Sequence, residues 1–487
     1  MKAIRSIRAV RSMQKLALFG GVVSATIALV VACGGGDPAG QPPLTDPGEP
    51  DGGDGQANLP EAGELGDSAA PRPDAKAPYA YEDEEVVCND AGPCVKELVA
   101  GREHFCARMA DGTVRCWGSD EFGNLGRGSS DKDANADAGA IALPVDGLSD
   151  VTQISAAGYT TCARIADGSL RCWGGNQNGE LGLTTKPATY DWNRHPEPVA
   201  PADVEAAVRV DVGQSAVCAV LASGKLTCWG KNSTGQLARP ITDIYSPEGP
   251  GEAEIDPIAV QAVQGGANST IGVTETGELW VWGALSGQEG VNSGVIAALS
   301  PSLSPRKIEA LSKVTSFAIS PHYMPLPPRP RPGEPPPPPP KAQAHACAIM
   351  NGDVYCWGQS EKAALCTGLP DPEKVPRLAR VSSKAWPQRL AVGHEITCVR
   401  MTDGTVQCCG GNEKGRLGVP TTTTHWASFT TVPAVKGHAV QVVTSYSSAC
   451  VLLQGGTVQC WGGNLRGELG TNEPDEDDHP EPHAIAF

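Results

Sequence analysis

The sequence predicts an all-β fold in which seven similar sheet units stack radially into a β-propeller. Three observations carry that reading. One pattern recurs seven times from residue 97 onward. Each copy holds two alternating apolar strands around a Gly turn, most often Asp-Gly or Asn-Gly, the strongest short-range signal for a β-hairpin. A unit of this size cannot bury its own apolar face, so neighbours must cover one another, and small sheets packed radially form a propeller.

The copies run in order along the chain. The first reads ELVAGREHFCARMADGTVRCWGSDEFGNLG (97–126), the second ISAAGYTTCARIADGSLRCWGGNQNGELG (154–182) and the third VDVGQSAVCAVLASGKLTCWGKNSTGQL (210–237). The fourth is QGGANSTIGVTETGELWVWGALSGQEG (264–290), and the fifth resumes after a proline run as HACAIMNGDVYCWGQSEKAAL (345–365). The sixth and seventh are LAVGHEITCVRMTDGTVQCCGGNEKGRLG (390–418) and VVTSYSSACVLLQGGTVQCWGGNLRGELG (442–470). Trp117, Trp173, Trp229, Trp282, Trp357 and Trp461 share one repeat position, and Cys409 replaces Trp in the sixth copy. These indoles are expected to pack between neighbouring units rather than to bind a ligand.

The pattern resembles the repeat of the regulator of chromosome condensation: a Gly, a small-or-apolar strand, Asp-Gly, an apolar residue, Trp-Gly and a Gly-x-Leu-Gly close. The likeness extends from residue 97 to about the C-terminus. It implies a seven-bladed β-propeller of four-stranded blades, assigned to 86–487. His479-Pro480-Glu481-Pro482 repeats His195-Pro196-Glu197-Pro198, so the final HAIAF is expected to supply an outer strand that closes the ring. The resemblance also implies an interaction platform, since relatives include a guanine-nucleotide exchange factor and a secreted inhibitor of β-lactamase. Neither role carries over residue by residue, and nucleotide exchange does not suit an acidic, exported chain.

Seventeen cysteines point to an oxidising compartment. Six copies carry one on each side of the turn: Cys106/Cys116, Cys162/Cys172, Cys218/Cys228, Cys347/Cys356, Cys398/Cys408 and Cys450/Cys460. Counting outward from the turn sets each pair face to face at a non-hydrogen-bonded site, within disulfide reach. The fourth copy has lost both partners, to Ile271 and Val281. Zinc is the competing reading, but it asks for four converging ligands. Cys88 and Cys94 bracket a turn and are expected to pair. Cys366 and Cys409 either join the fifth and sixth units or remain as two buried thiols.

The N-terminus reads as an address. Residues 1–15 are basic and 16–32 form an apolar run too short for a comfortable membrane span, the layout of a secretory signal over 1–32. The run ends Val30-Val31-Ala32-Cys33-Gly34, which resembles the bacterial lipoprotein cleavage box. That resemblance implies that Cys33 becomes the first mature residue and is acylated on sulfur and nitrogen; several acyl chains anchor stably where one does not. Residues 33–85 are rich in Gly, Pro, Asp and Glu and are expected to form a disordered acidic tether. The address is therefore the bacterial cell envelope, with the anchor in the outer membrane in preference to the inner, and the propeller in the periplasm or at the surface.

The net charge of −17 becomes −22 once the five basic residues of the leader are gone, which disfavours a nucleic-acid partner. The proline-rich insertion at 321–341 reads as a surface extension or as a docking arm for an aromatic groove. Residues 131–137 alternate calcium-type oxygens, but Ala136 and Ala142 stand where the calcium loop needs Gly and Glu. No nucleophile or zinc-protease motif is present, and no cofactor or metal is expected. The leading function is a membrane-anchored, monomeric, non-catalytic binding scaffold for a protein or envelope polymer. Two rivals remain. A hydrolase or lyase acting on an extracellular or cell-wall polymer calls for two carboxylates in one cleft, and an inhibitor or adhesin calls for an aromatic-rich patch on one propeller face.

Overall fold

The computed structural model describes residues 84–88, 92–128, 141–243, 246–266, 268–283, 302–321, 344–471 and 473–487. The leader, Cys33, the tether through residue 83, the segment 131–137 and residues 322–343, which include all but the first residue of the proline-rich insertion, lie outside the described residues.

Seven antiparallel sheets follow one another along the chain, each built in sequence order. Blade one consists of Val95–Ala100, His104–Met109, Val114–Gly118 and Leu143–Pro144. Blade two holds Val151–Ala157, Thr160–Ile165 and Leu170–Gly174; blade three holds Ala207–Val212, Ala216–Leu221, Leu226–Gly230 and Glu248–Glu252. Blade four is Val260–Gly265, Ser269–Thr274, Leu279–Gly283 and Ser302–Lys307; blade five is Val314–Ile319, His345–Met350, Asp353–Gly358 and Glu373–Ala379. Blade six is Pro387–Gly393, Ile396–Met401, Val406–Gly411 and His425–Thr431; blade seven is Ala439–Thr444, Ser448–Leu453, Val458–Asn464 and Asp475–Ala484. First strands of successive blades touch, and that of blade seven touches that of blade one. A narrow axial cavity of about 280 Å³ is lined by the first strands of all seven.

Turn chemistry sets the hairpins. Gly112 and Gly404 take φ of 79° and 78°, and Asp111 and Asp403 each accept the N–H and hydroxyl of the threonine two residues on. Blade five uses the tighter two-residue turn, with Asn351 and Gly352 both at positive φ. Both turns give the same register: Cys106 faces Cys116, Cys347 faces Cys356, and Ile271 faces Val281.

Three sets of contacts hold blade to blade. All six tryptophans are at most 1 % exposed. Five donate Nε1–H to a carbonyl in the closing loop of the preceding blade: Trp173 to Asn124, Trp229 to Glu180, Trp282 to Gln236, Trp461 to Arg416, and Trp117 to Glu468 across the ring closure. Around the axis, side chains of one first strand cap backbone N–H groups of the next. Glu97 accepts from Ile154, Gln153 from Val210, Asp211 from Val263, Gln264 from Ile319, Ser316 from Leu390, and Gln441 from Leu98. This girdle gives partners to N–H groups that no neighbouring strand pairs, groups that are costly to leave bare. His104 and His345 add a third link, each placing Nε2 2.8 Å from a threonine hydroxyl of the following blade.

Two outer edges differ in part from the sequence expectation. In blade two the fourth segment is reduced to two isolated bridges, Cys172 with Val199 and Asn176 with Asp191, and the Gly174 to His195 hydrogen bond. The same His-Pro-Glu-Pro tetrad lies inside a full strand in blade seven, so its prolines alone do not decide. At the C-terminus the outer strand ends at Ala484, inside the expected HAIAF segment. His483 and Ala484 pair with Cys460 and Gln459 as expected, and beyond them Ile485 and Phe487 add to ring closure by packing into the core shared by blades one and seven, with Phe487 edge-on to Trp117 at 5.7 Å. The chain entering blade one adds to it: Val87 N–H bonds the Gln454 carbonyl, and Glu84 pairs with buried Arg400 and with His438.

Candidate binding face

Two kinds of loop emerge on one face, those joining first to second strands and those following each Trp-Gly. The hairpin turns lie on the other. Arg102, Tyr159, His394 and Tyr446 occupy the tips of the first kind in blades one, two, six and seven. Arg102 donates to the Tyr159 hydroxyl at 2.7 Å, and its guanidinium carbon lies 5.4 Å and 5.3 Å from the Tyr159 and Tyr446 ring centres. His394 stacks on Tyr446 at 4.6 Å and 18°. On the other side Phe122 contacts Tyr159 at 4.8 Å and Trp192 at 6.4 Å. A continuous arc of rings and one cation thus spans four blades. It ends on Trp192, 75 % exposed, near Tyr190, 48 % exposed.

The arc is held from beneath. Buried Arg416 donates to the Gly411 and Tyr446 carbonyls and reaches Glu395 at 3.4 Å, fixing the Tyr446 loop. Arg194 donates to Asp120 at 2.6 Å, and His195 meets Asp191 at 2.9 Å, fixing the Trp192 loop. The stalk of the proline-rich insertion stands on this same face, where Ser320 N–H bonds the His345 carbonyl.

Beside the arc, over blades six and seven, lies a cleft of about 780 Å³. Glu103, Glu413, Glu468, Asp475, Glu476 and Asp478 line it, against Lys362 and Lys414. Glu468 is 1 % exposed, and burial, reinforced by the charge of Glu103, lifts its carboxyl to about 7. Its repeat position is a loop-closing one: Asn124, Glu180 and Gln236 there accept the N–H of the residue two before. Glu468 does the same for Arg466. Glu180, however, engages its second oxygen with the Asn178 amide, whereas residue 466 offers no amide. Among the described residues the second oxygen of Glu468 therefore accepts nothing.

The cysteines fall as follows. The structure places Cys106–Cys116, Cys162–Cys172, Cys218–Cys228, Cys347–Cys356, Cys398–Cys408 and Cys450–Cys460 as disulfides within their hairpins, with Cα atoms 4.1–4.2 Å apart. Cys88–Cys94 spans the turn before blade one, and Cys366–Cys409 joins blades five and six. His104 is fully buried, and burial holds its imidazole down at about 4, neutral near pH 7. Among the described residues no group of three or more His, Cys, Asp or Glu is placed to hold a metal ion. Sequence reasoning missed the girdle and the arc. The girdle's only signal is a polar residue within each first strand; the arc's is an aromatic or basic residue one or two after the strand.

Residues 95–124, 151–180, 207–236 and 439–468 match the model of the regulator of chromosome condensation (RCC1) repeat. These four segments are similar to RCC1 repeats. The matched segments are blades one, two, three and seven. The other three depart from the RCC1 pattern in visible ways: blade four lacks the cysteine pair, blade five is interrupted, and blade six has Cys409 for Trp. The RCC1 domain-containing protein RUG3, mitochondrial, of Arabidopsis thaliana is 28 % identical over 203 residues, 40 % of this chain and 43 % of that one. The ultraviolet-B receptor UVR8 of the same plant is 27 % identical over 188 residues, 38 % of this chain and 40 % of that one. The chain thus spans about two fifths of the length of these curated relatives. Yeast RCC1, solved with Kap60, is similar in fold, with a TM-score of 0.60 over 88 % of this chain and 90 % of that one at 15 % identity.

Proposed function

We propose that this chain is a non-catalytic binding scaffold of the bacterial cell envelope, monomeric and held at the outer membrane by lipid on Cys33. Residues 33–85 then serve as its tether, and a protein partner lands on the face bearing the aromatic arc. The observation that carries the reading is the arc itself: exposed Trp192 and Tyr190 backed by Phe122, Tyr159, Arg102 and Tyr446. Aromatic and arginine side chains on a rigid base make interface anchors at low cost in entropy. The leader pattern ending at Cys33 and the eight disulfides support an exported, oxidising address. The same arc also suits an inhibitor or adhesin, a scaffold with one tight partner.

A hydrolase or lyase of envelope polymer draws on a different observation, Glu103 and Glu468 at one cleft. It has less support, because Glu468 closes a repeat loop as its counterparts in other blades do. The test is capture by the immobilised full chain and by Trp192→Ala combined with Tyr190→Ala. The expected result is a saturable protein partner retained by the former and lost from the latter. Undiminished capture by the double variant, or polymer turnover without a partner, overturns the proposal.

A further inference from the structure

The cleft over blades six and seven adjoins the arc at Tyr446 but has a chemistry of its own. Its walls come from the blade-six closing loop (Glu413, Lys414), the outer edge of blade seven (Asp475, Glu476, Asp478) and the blade-one tip (Glu103). Several of these acids are already satisfied. Asp475 accepts from Asn464, His479 and the Asp477 N–H; Asp478 accepts from Thr421 and lies 3.5 Å from Lys414. The remaining carboxylates are not. Glu476 has no side-chain partner among the described residues, the Glu413 carboxylate has only the charge of Arg416 and no hydrogen bond or ion pair, and Glu103 reaches Arg102 only at 3.9 Å.

Glu468 supplies an independent observation. It is almost completely buried, lines the cleft, spends one oxygen on the Arg466 N–H and leaves the other without a donor. No cation lies within ion-pair distance of it among the described residues. The charge of Arg466 favours its ionised form from beyond that distance, but a buried carboxylate with no ion pair is costly to keep, and a loop-closing acceptor need not be charged, since Gln236 does the same task in blade three. The geometry points to a cationic occupant: we infer that the cleft receives a lysine or arginine side chain of a partner polypeptide, whose ammonium or guanidinium donates to Glu468 and Glu103. A cavity of about 780 Å³ admits such a side chain with its flanking backbone. A guanidinium entering there replaces the missing donor on Glu468 and compensates the excess of carboxylates over lysines along the walls.

This inference rests on the scaffold reading but is tested apart from it. The probe is a fluorescein-labelled octapeptide of alternating Gly and Arg, titrated into the full chain at physiological salt, beside an alternating Gly and Glu peptide. Glu468→Gln removes the buried charge while keeping the loop hydrogen bond in the form blade three already uses. Glu205→Gln removes an exposed charge at the opposite face and controls for bulk attraction by an acidic protein. The expected result is saturable binding of the basic peptide alone, weakened about tenfold by Glu468→Gln and unchanged by Glu205→Gln. Equal weakening by the two variants, or no saturable binding of the basic peptide, overturns it. Either failure leaves arc-dependent capture intact if the scaffold reading holds.

Discussion

Two seams of the same ring are held by different chemistry. Between blades one and two, Trp173 is fully buried and donates to the Asn124 carbonyl. Gly126 leaves space for it, since a Cβ there would lie 3.0 Å from the indole nitrogen. Between blades five and six the same two repeat positions hold Cys409 and Cys366, joined by a disulfide with Cα atoms 5.5 Å apart. The two positions change together for a steric reason. A side chain at the glycine position crowds an indole, and only a short residue at the tryptophan position lets another one in. Cys366 also keeps the left-handed backbone of that glycine, with φ of 58° against 65° at Gly126. An indole seam gains by burying surface in the folded state, whereas a covalent seam gains mainly by restricting the unfolded chain. One architecture therefore tolerates either, provided both positions agree.

That comparison can be broken at its packed side first. Trp173→Ala should cost about 3–5 kcal/mol by removing a buried indole and leaving a cavity, read as a fall in thermal unfolding temperature. Trp173→Cys combined with Gly126→Cys transplants the other seam. It should recover part of that loss when oxidised and none in the presence of dithiothreitol. At the covalent side, Cys409→Ser opens a loop whose closure is worth up to about 4 kcal/mol, so the loss should approach that of the indole. Cys409→Trp combined with Cys366→Gly should then restore most of it under reducing conditions, which Cys409→Trp alone should not.

The hairpin disulfides offer a smaller contrast. Cys106→Ile combined with Cys116→Val gives blade one the pair that blade four already has in Ile271 and Val281. The expected loss stays below about 3 kcal/mol, the value for a loop of this length, because the apolar pair keeps the packing.

The smallest effect compares Glu468 with Gln236. Burial raises the Glu468 carboxyl to about 7 from 4.5, so the folded chain holds this proton more tightly than the unfolded chain does. Its contribution to stability is most favourable below about pH 4.5 and declines as the pH rises towards 7. Glu468→Gln should therefore stabilise the protein at pH 8, by on the order of 2 kcal/mol, and leave it unchanged at pH 4; denaturant titrations at the two pH values read this directly.

The legible part of the sequence is the part that acts locally. Cys106 and Cys116 flank a three-residue turn, so their facing follows from counting, and the six tryptophans announce their shared place by spacing alone. What could not be read depends on where blades stand relative to one another. Arg102 meets Tyr159 across two blades, and Leu98 finds Gln441 only because the ring closes. Cys366 and Cys409 could be named as a pair, but their distance is set by a seam that no local rule describes. Nor does sequence separate the fourth edges of blades two and seven, since the same His-Pro-Glu-Pro sits in a continuous strand in blade seven and between two isolated bridges in blade two.

Peptide mapping of the full chain by mass spectrometry without reduction, after blocking free thiols, tests the seam account most directly. The expected result is a fragment linking Cys366 to Cys409, alongside cross-links confined to each hairpin. Alkylated Cys366 and Cys409, or either of them bonded to a hairpin cysteine, would contradict it.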